Sequence, residues 1–286
     1  MAIVLDNITY TYGVGTPFEK TALHGISLTI ENGEFLGVIG HTGSGKSTFV
    51  QHLNGLLHPT TGTVTVNGVD ISASTEEAKK MRHKVGMVFQ YPEHQLFEET
   101  IAQDIAFGPK NLGLSADDVD ERVRDAMKFV GLDYDTYAER SPFHLSGGQM
   151  RRVAIAGVVA MDPDFLVLDE PSAGLDPFGR EEIFEEIIRL HKEKGITVIL
   201  VSHNMEDISR MASRLVVLDK GRIVLDGEPM DIFNNHRDEL QAVGVDVPPV
   251  SVTMEYLREQ GLDVSNRVLS VDDAVQAILE GGNHAK

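Results

Sequence analysis

The chain has 286 residues, 42% of them hydrophobic and 24% charged, with 27 Gly, 11 Pro and no Cys. That length suits one large domain, or a large one with a small appendage. Without cysteine there is no disulfide framework, thiol nucleophile or thiolate zinc site, and a reducing compartment is the natural home. A formal net charge of −19 repels phosphate backbones and anionic lipid, which disfavours a general nucleic-acid or bilayer-surface binder. The longest apolar runs, such as 165–168 and 197–201, fall far below the ~20 residues of a membrane helix. The start lacks the basic residues and long apolar stretch of a secretory signal, so a soluble cytosolic protein is expected.

In chain order, β-like runs at 8–12, 26–30 and 63–66 are cut by Glu31-Asn32-Gly33 and Val66-Asn67-Gly68 turns. Residues 35–39 form a continuous apolar run that ends in a Gly-rich loop, followed by a helix over 46–57. Another strand is expected at 84–89. Residues 100–161 read as mostly helical, with helices at 101–110, 116–130 and 147–161. Buried strands return at 165–168 and 197–201, and 215–218 with 222–225 form a hairpin through Lys220-Gly221. Short apolar strands alternating with helices predict an α/β domain with a largely buried sheet. Past about residue 232 the character changes. Val247-Pro248-Pro249 is a stiff connector, and two short helices are expected near 252–260 and 272–280. Ser270 with Asp273 resembles a capping box at the second. This tail is too small to fold alone, so it is expected to pack on the main domain or on a partner.

Three motifs carry chemistry. Gly40-His41-Thr42-Gly43-Ser44-Gly45-Lys46-Ser47 fits G-x-x-x-x-G-K-[S/T], in which glycines let backbone N–H groups surround an anion at a helix's positive end. Lys46 would reach the β- and γ-phosphates, and the Ser47 hydroxyl would ligate Mg²⁺. The strand at 165–168 runs into Asp169-Glu170. Adjacent strand residues point to opposite faces, so Asp169 suits the Mg²⁺ shell and Glu170 suits polarising a water. Alone this pair would read as a solvated strand end; beside a P-loop it reads as catalytic. Leu145-Ser146-Gly147-Gly148-Gln149 opens an apolar helix and makes a second anion nest, with Ser146 able to cap it. One nucleotide needs one cradle, so a second suggests that two chains share each nucleotide.

These residues resemble the ATP-binding-cassette ATPases, with 145–149 as their signature. The resemblance spans residues 2–232 and implies a P-loop NTPase cassette. Its parts would be an N-terminal antiparallel β subdomain, a RecA-like core, a helical subdomain near 92–161 and a small helical extension over 233–286. It further implies a D-loop at Ser172-Ala173-Gly174-Leu175-Asp176, a switch role for His203 and a Q-loop role for Gln90, which would also approach the metal. Asp176 before Pro177 is equally an ordinary helix N-cap with Pro at N1. Thr48 joins the P-loop residues at the nucleotide, and Tyr12 resembles the aromatic that stacks on adenine; Tyr10 or Phe18 are alternatives. Arg151 and Arg152 read as a solvated or interfacial helix face.

The stretches Gly15-Thr16-Pro17-Phe18-Glu19, 51–57, Tyr91-Pro92-Glu93-His94-Gln95-Leu96-Phe97 and 106–111 are similar to the energy-coupling-factor (ECF) ATPases. These are the motors of prokaryotic vitamin and transition-metal importers, once grouped with cobalt-transport ATPases. Within them the chain resembles the second (A-prime) of two paralogous ATPases. The resemblance implies ATP and Mg²⁺ and a head-to-tail pair with a paralogous or identical ATPase. It also implies a transmembrane coupling subunit, interchangeable membrane substrate-binding subunits and a peripheral place on the cytoplasmic membrane face, with no nucleic acid and no lipid insertion. An acidic groove near Gln90, lined by Glu93, Glu98 and Asp104, is expected to receive basic residues of the membrane subunit. The alternatives are another transporter class, or a cassette ATPase acting on nucleic acid or ribosomes.

Overall fold

The computed structural model describes residues 1–282 except Asn266. β1 (Ala2–Tyr12) pairs antiparallel with β2 (Lys20–Glu31) on one side. Its other side pairs with β4 (Thr61–Val66), and β5 (Val69–Asp70) closes the order β2-β1-β4-β5. Both long strands exceed the expected runs. Asn7, at φ 46, sits in a bulge between Leu5 and Ile8, so the buried alternation of Ile3 and Leu5 stops and restarts at Ile8.

Between these strands lie β3 (Phe35–Ile39) and α1 (Lys46–Leu53). The helix stops before residue 57 because Asn54 caps it and Gly55 turns left-handed at φ +74. The chain continues through α2 (Glu76–His83) and β6 (Val85–Val88), which ends two residues short of Gln90. A helical layer follows: α3 (Ile101–Asn111), α4 (Ala116–Phe129), α5 (Tyr134–Tyr137) and α6 (Gly147–Val159). Then come β7 (Phe165–Asp169), α7 (Pro177–Lys194), β8 (Thr197–Val201), α8 (Met205–Met211), β9 (Arg214–Asp219) and β10 (Arg222–Gly227).

The second sheet runs β10-β9-β3-β8-β7-β6 and is parallel except at the β9–β10 hairpin. Its central strands are buried on both faces, and alternate residues feed two cores. In β8, Val198 and Leu200 join the core with the helices, while Ile199 and Val201 join the core beneath the β1–β2 sheet. The sheet is therefore a rigid partition, and the carboxyl ends of β3, β7 and β8 fall together at one edge.

Among the described residues the tail holds α9 (Pro229–Asn235), α10 (Arg237–Ala242), α11 (Pro249–Glu259) and α12 (Val271–Gly282). The last two are the helices expected near 252–260 and 272–280, and the first two, ahead of the Pro248-Pro249 connector, were not expected. Residue 232 falls inside α9, and Phe233, Leu240, Val245 and Leu269 belong to the main core. Met254, Val264, Val268 and Ala274 make a separate small cluster. Ser270 accepts from Asp273 N at 3.1 Å and donates to its carboxylate at 2.6 Å. This is half a capping box, because the short Asp side chain takes the hydroxyl proton. No helix among the described residues is long and apolar enough to cross a membrane.

Candidate functional site

The loop between β3 and α1 lies over the β9–β10 turn. A Cβ at Gly40 would stand 2.3 Å from Leu218 O, so only glycine lets the chain leave β3 there. Gly221 N donates to Ser44 O at 2.8 Å, and His24 N donates to Gly221 O at 2.9 Å. The hairpin thus braces the loop from outside. Lys46, 6% exposed, donates from Nζ to Gly40 O (2.6 Å) and His41 O (3.1 Å). Burial pulls its ammonium below the ordinary lysine value, against the opposing pull of Glu170 and Asp169.

Asp169 ends β7 and is 8% exposed. Burial pushes its carboxyl up, while a hydrogen bond from Ser47 and the charges of Lys46 and His203 act the other way. Glu170 follows at φ 52, a left-handed backbone costly for a side-chain-bearing residue. That twist turns its carboxylate to His203, with Oε1 2.6 Å from Nε2. Lys46, Glu170 and His203 line an open cleft of about 610 Å³, whereas Gly40, His41, Ser44 and Asp169 do not reach its wall. Tyr12, Thr42, Gly43, Gly45, Ser47, Thr48 and Gln90 share its wall.

Among the aromatics, Tyr12 faces the cleft and bonds Thr48 Oγ1 at 3.1 Å. Tyr10 is held edge-on between Tyr12 and His52, and Phe18 is 86% exposed and lines no part of the cleft. Lys20, Thr21, Ala22, His24 and Lys220 also line it. No motif pointed to them, because the Gly221 turn brings them there only through packing.

The cleft suits an anionic ligand with a hard cation. A side chain at Gly43 would stand in its open space, and buried Ser44 Oγ has no hydrogen-bond partner among the described residues. The Ser47 hydroxyl and Asp169 carboxylate are adjacent oxygen donors. Among the described residues no three His, Cys, Asp or Glu are grouped so as to hold a metal ion by themselves.

The signature lies elsewhere. Leu145, Ser146, Gly147, Gly148 and Gln149 line no part of the cleft. Ser146 caps α6 by accepting from Gln149 N, and Gln149 Oε1 accepts from Ser146 N at 3.1 Å, a complete capping box. Of the loop after Glu170, Ser172, Ala173 and Leu175 are half-buried and Gly174 is exposed. Asp176 accepts from Gly179 N at 2.7 Å and caps α7.

Two expectations are corrected. Arg151 is not solvated: it is 1% exposed, forks onto both Glu93 carboxylate oxygens at 2.9 and 3.0 Å, and donates to Pro171 O at 2.8 Å. Arg152 pairs with Glu182. The acidic groove is also largely engaged internally. Burial would raise the Glu93 carboxyl, but the Arg151 hydrogen bonds, a local backbone hydrogen bond and the charges of Arg151 and His94 together hold it below the ordinary range. Asp104 accepts from Phe97 N and Glu98 N, both at 3.0 Å. Exposed beside it are Phe97 and Phe107, which meet edge-to-face at 4.9 Å.

Residues 23–173 match the ABC transporter family. The chain belongs to that family. Among relatives of this ABC transporter chain is the energy-coupling factor transporter ATP-binding protein EcfA2 of Clostridium tetani. It is 53% identical over 280 residues, 98% of this chain and 97% of that protein. The protein of the same name in Clostridioides difficile is 49% identical, over 98% of this chain and 97% of its own length. Among solved structures, cbiO1 from Clostridium perfringens, described as part of the ABC transporter complex cbiONQ, is 36% identical. It matches with a TM-score of 0.73 over 88% of this chain and 98% of its own. The cassette MJ0796, seen as a dimer bound to ADP and phosphate, is 30% identical with a TM-score of 0.70 over 79% and 98%.

Proposed function

We propose that this chain is the ATP-hydrolysing motor subunit of an ECF-type importer. One observation carries the reading: a complete P-loop cleft and an intact signature occur on one chain, and the signature lines no part of that cleft. Two chains arranged head to tail would then complete two sites. The full-length similarity to ECF ATP-binding proteins narrows the class to that importer type.

In this reading Tyr12 stacks on adenine while the backbone of Gly40, His41, Thr42, Gly43, Ser44, Gly45, Lys46 and Ser47, with Thr48, encloses the phosphates. Lys46 exchanges its carbonyl partners for phosphate oxygens. Ser47, Asp169 and Gln90 would hold Mg²⁺, which would supply neutralisation of the charge that develops on the phosphates. Glu170 orients or deprotonates the attacking water, and His203, already bonded to it, supports the γ-phosphate. The partner's signature closes over this nucleotide, and Ser146, Gly147, Gly148 and Gln149 of this chain close over the other. Ser172, Ala173, Gly174, Leu175 and Asp176 line the junction between the two. ATP favours the closed pair and its hydrolysis releases it, a shift in population.

The partners are a paralogous ATPase, a transmembrane coupling subunit and exchangeable substrate-binding membrane proteins. The coupling subunit docks near Gln90 on the exposed Phe97–Phe107 pair. The cargo is a vitamin or transition metal, and the chain sits peripherally on the cytoplasmic face.

Turnover and ATP binding of Glu170→Gln and Lys46→Ala test this. Glu170→Gln is expected to retain ATP while turnover falls about 10²–10⁴-fold, and Lys46→Ala to lose ATP capture. Isolation from solubilised membranes is expected to bring a second ATPase and a polytopic protein. Full turnover by a strict monomer, or by Glu170→Gln, overturns the proposal.

A further inference from the structure

Tyr10 and Tyr12 stand two residues apart on β1, on the same face of the strand. The strand is poorly held at that end. Its pairing with β4 stops at Thr9 opposite Thr61, and its register with β2 shifts between Tyr10 and Thr11. Tyr12 is the last residue of β1 and is 42% exposed. A ring at such a place, left to itself, samples several rotamers, and a base that stacks on it must bear the entropy of fixing it.

A closed circuit of four side chains removes that freedom. Tyr12 meets Tyr10 at 4.8 Å between ring centroids with the planes at 89°, and Tyr10 meets His52 at 4.9 Å and 77°. His52, fully buried on α1, donates from Nδ1 to the backbone oxygen of Thr48 one turn earlier, at 2.7 Å. Thr48 closes the circuit, with its Oγ1 3.1 Å from Tyr12 Oη. The helix end of the circuit is firm, because Phe49, Val50 and Leu53 anchor α1 in the core beneath the β1–β2 sheet, and Tyr10 packs against the same core. An edge-to-face contact leaves one face of Tyr12 uncovered, and Tyr12 lines the cleft with Thr48 and Lys46. Neither Tyr10 nor His52 lines it, so both reach a ligand only through Tyr12 and Thr48. A hydroxyl can donate and accept at once, so Thr48 can hold Tyr12 and a phosphate oxygen together.

We propose that Tyr10, backed by His52, is a positioning residue for the base: it fixes the Tyr12 ring against α1 in the orientation that stacks on adenine. This rests on Tyr12 being the adenine-stacking residue of the ATP site. The edge contact settles the ring before the nucleotide arrives, and the Thr48 bond ties base recognition to the helix that carries the phosphate site.

The test is the calorimetric affinity of the full chain for MgATP and for magnesium tripolyphosphate, which has the phosphates without the base. The readout is the ratio of the two affinities, which a defect in the phosphate site or in folding alone does not move. Tyr10→Leu is expected to lower the ratio about 2- to 10-fold, the span of one aromatic pair at ~1.4 kcal/mol per decade, with triphosphate affinity kept. Tyr10→Phe retains the ring and is expected to retain the wild-type ratio. His52→Leu leaves both tyrosines in place and is expected to lower the ratio in the same direction, an arm that stands if Tyr10→Leu folds poorly. Tyr12→Ala is expected to lower the ratio further, and in that background Tyr10→Leu is expected to add nothing. An unchanged ratio in Tyr10→Leu or His52→Leu, or an undiminished effect of Tyr10→Leu without Tyr12, overturns the inference and leaves Tyr12 as the stacking residue. An unchanged ratio in Tyr12→Ala overturns that reading and the inference with it.

Discussion

Glu186 on α7 shows what burial does to one residue. Its Oε2 is buried and has no hydrogen-bond partner among the described residues. Burial pushes its carboxyl up to about 7, against Arg152 and Arg189 and with help from Glu182. A carboxyl raised on folding binds more protons in the native state than in the unfolded one. Its effect on stability is therefore nil below the unfolded value, near 4.3, and stability falls as pH rises from there to about 7. Glu186→Gln keeps the shape and removes the ionisation. Thermal or urea midpoints of the variant are expected to change less than wild type between pH 5 and 8 and to lie above it at pH 8. Identical pH slopes would remove this account.

At the scale of the element, α6 is where the two ends of the chemistry meet. Ser146 and Gln149 close its first turn by a reciprocal cap. Arg151, one turn on, is bolted to Glu93 just past Gln90 and to the carbonyl of Pro171 just past Glu170. A shift of the signature helix must therefore carry both loops of this chain's own cleft with it. Removing one partner of a buried ion pair costs about 3–5 kcal/mol, because the other charge stays behind. Arg151→Ala is expected to lower stability by that order in urea unfolding and to reduce turnover more than ATP binding. Arg151→Lys is expected to restore only part of either, since a point charge cannot span a carboxylate fork and a carbonyl together. An unchanged midpoint for Arg151→Ala would show that the pair contributes nothing.

The whole molecule is one packed body plus a lightly attached end. The tail helices are joined to the cassette unequally. Phe233, Leu240 and Val245 sit in the main core, whereas Met254, Val264, Val268 and Ala274 pack among themselves. Fully burying a large apolar side chain is worth about 1.5–3 kcal/mol. A chain ending at residue 232 is therefore expected to lose several kcal/mol. One ending at 247 keeps α9 and α10 and is expected to lose much less, with Leu269 and the Ser209–Leu269 O bond (3.1 Å) as its main loss. Unfolding midpoints of the two truncations settle the order, and equal values for both would contradict the division of the cores.

Contiguous residues wrote their own structure. The P-loop, the Asp169-Glu170 strand end, the Ser146 and Asp176 caps and the buried parallel strands were all legible, because each depends on chemistry within about ten residues. The bulge at Asn7 and the early end of α1 at Asn54-Gly55 escaped, since both turn on single backbone angles that hydrophobic periodicity does not report. Tertiary structure alone put Tyr12, and neither Tyr10 nor Phe18, on the cleft wall, buried Arg151 against Glu93 58 residues away, and seated His41 on Asp219 across 178 residues. Those pairings follow from which strands become neighbours in the sheet. A partner fixed by strand order leaves no local pattern, and only the folded chain brings its charges within reach.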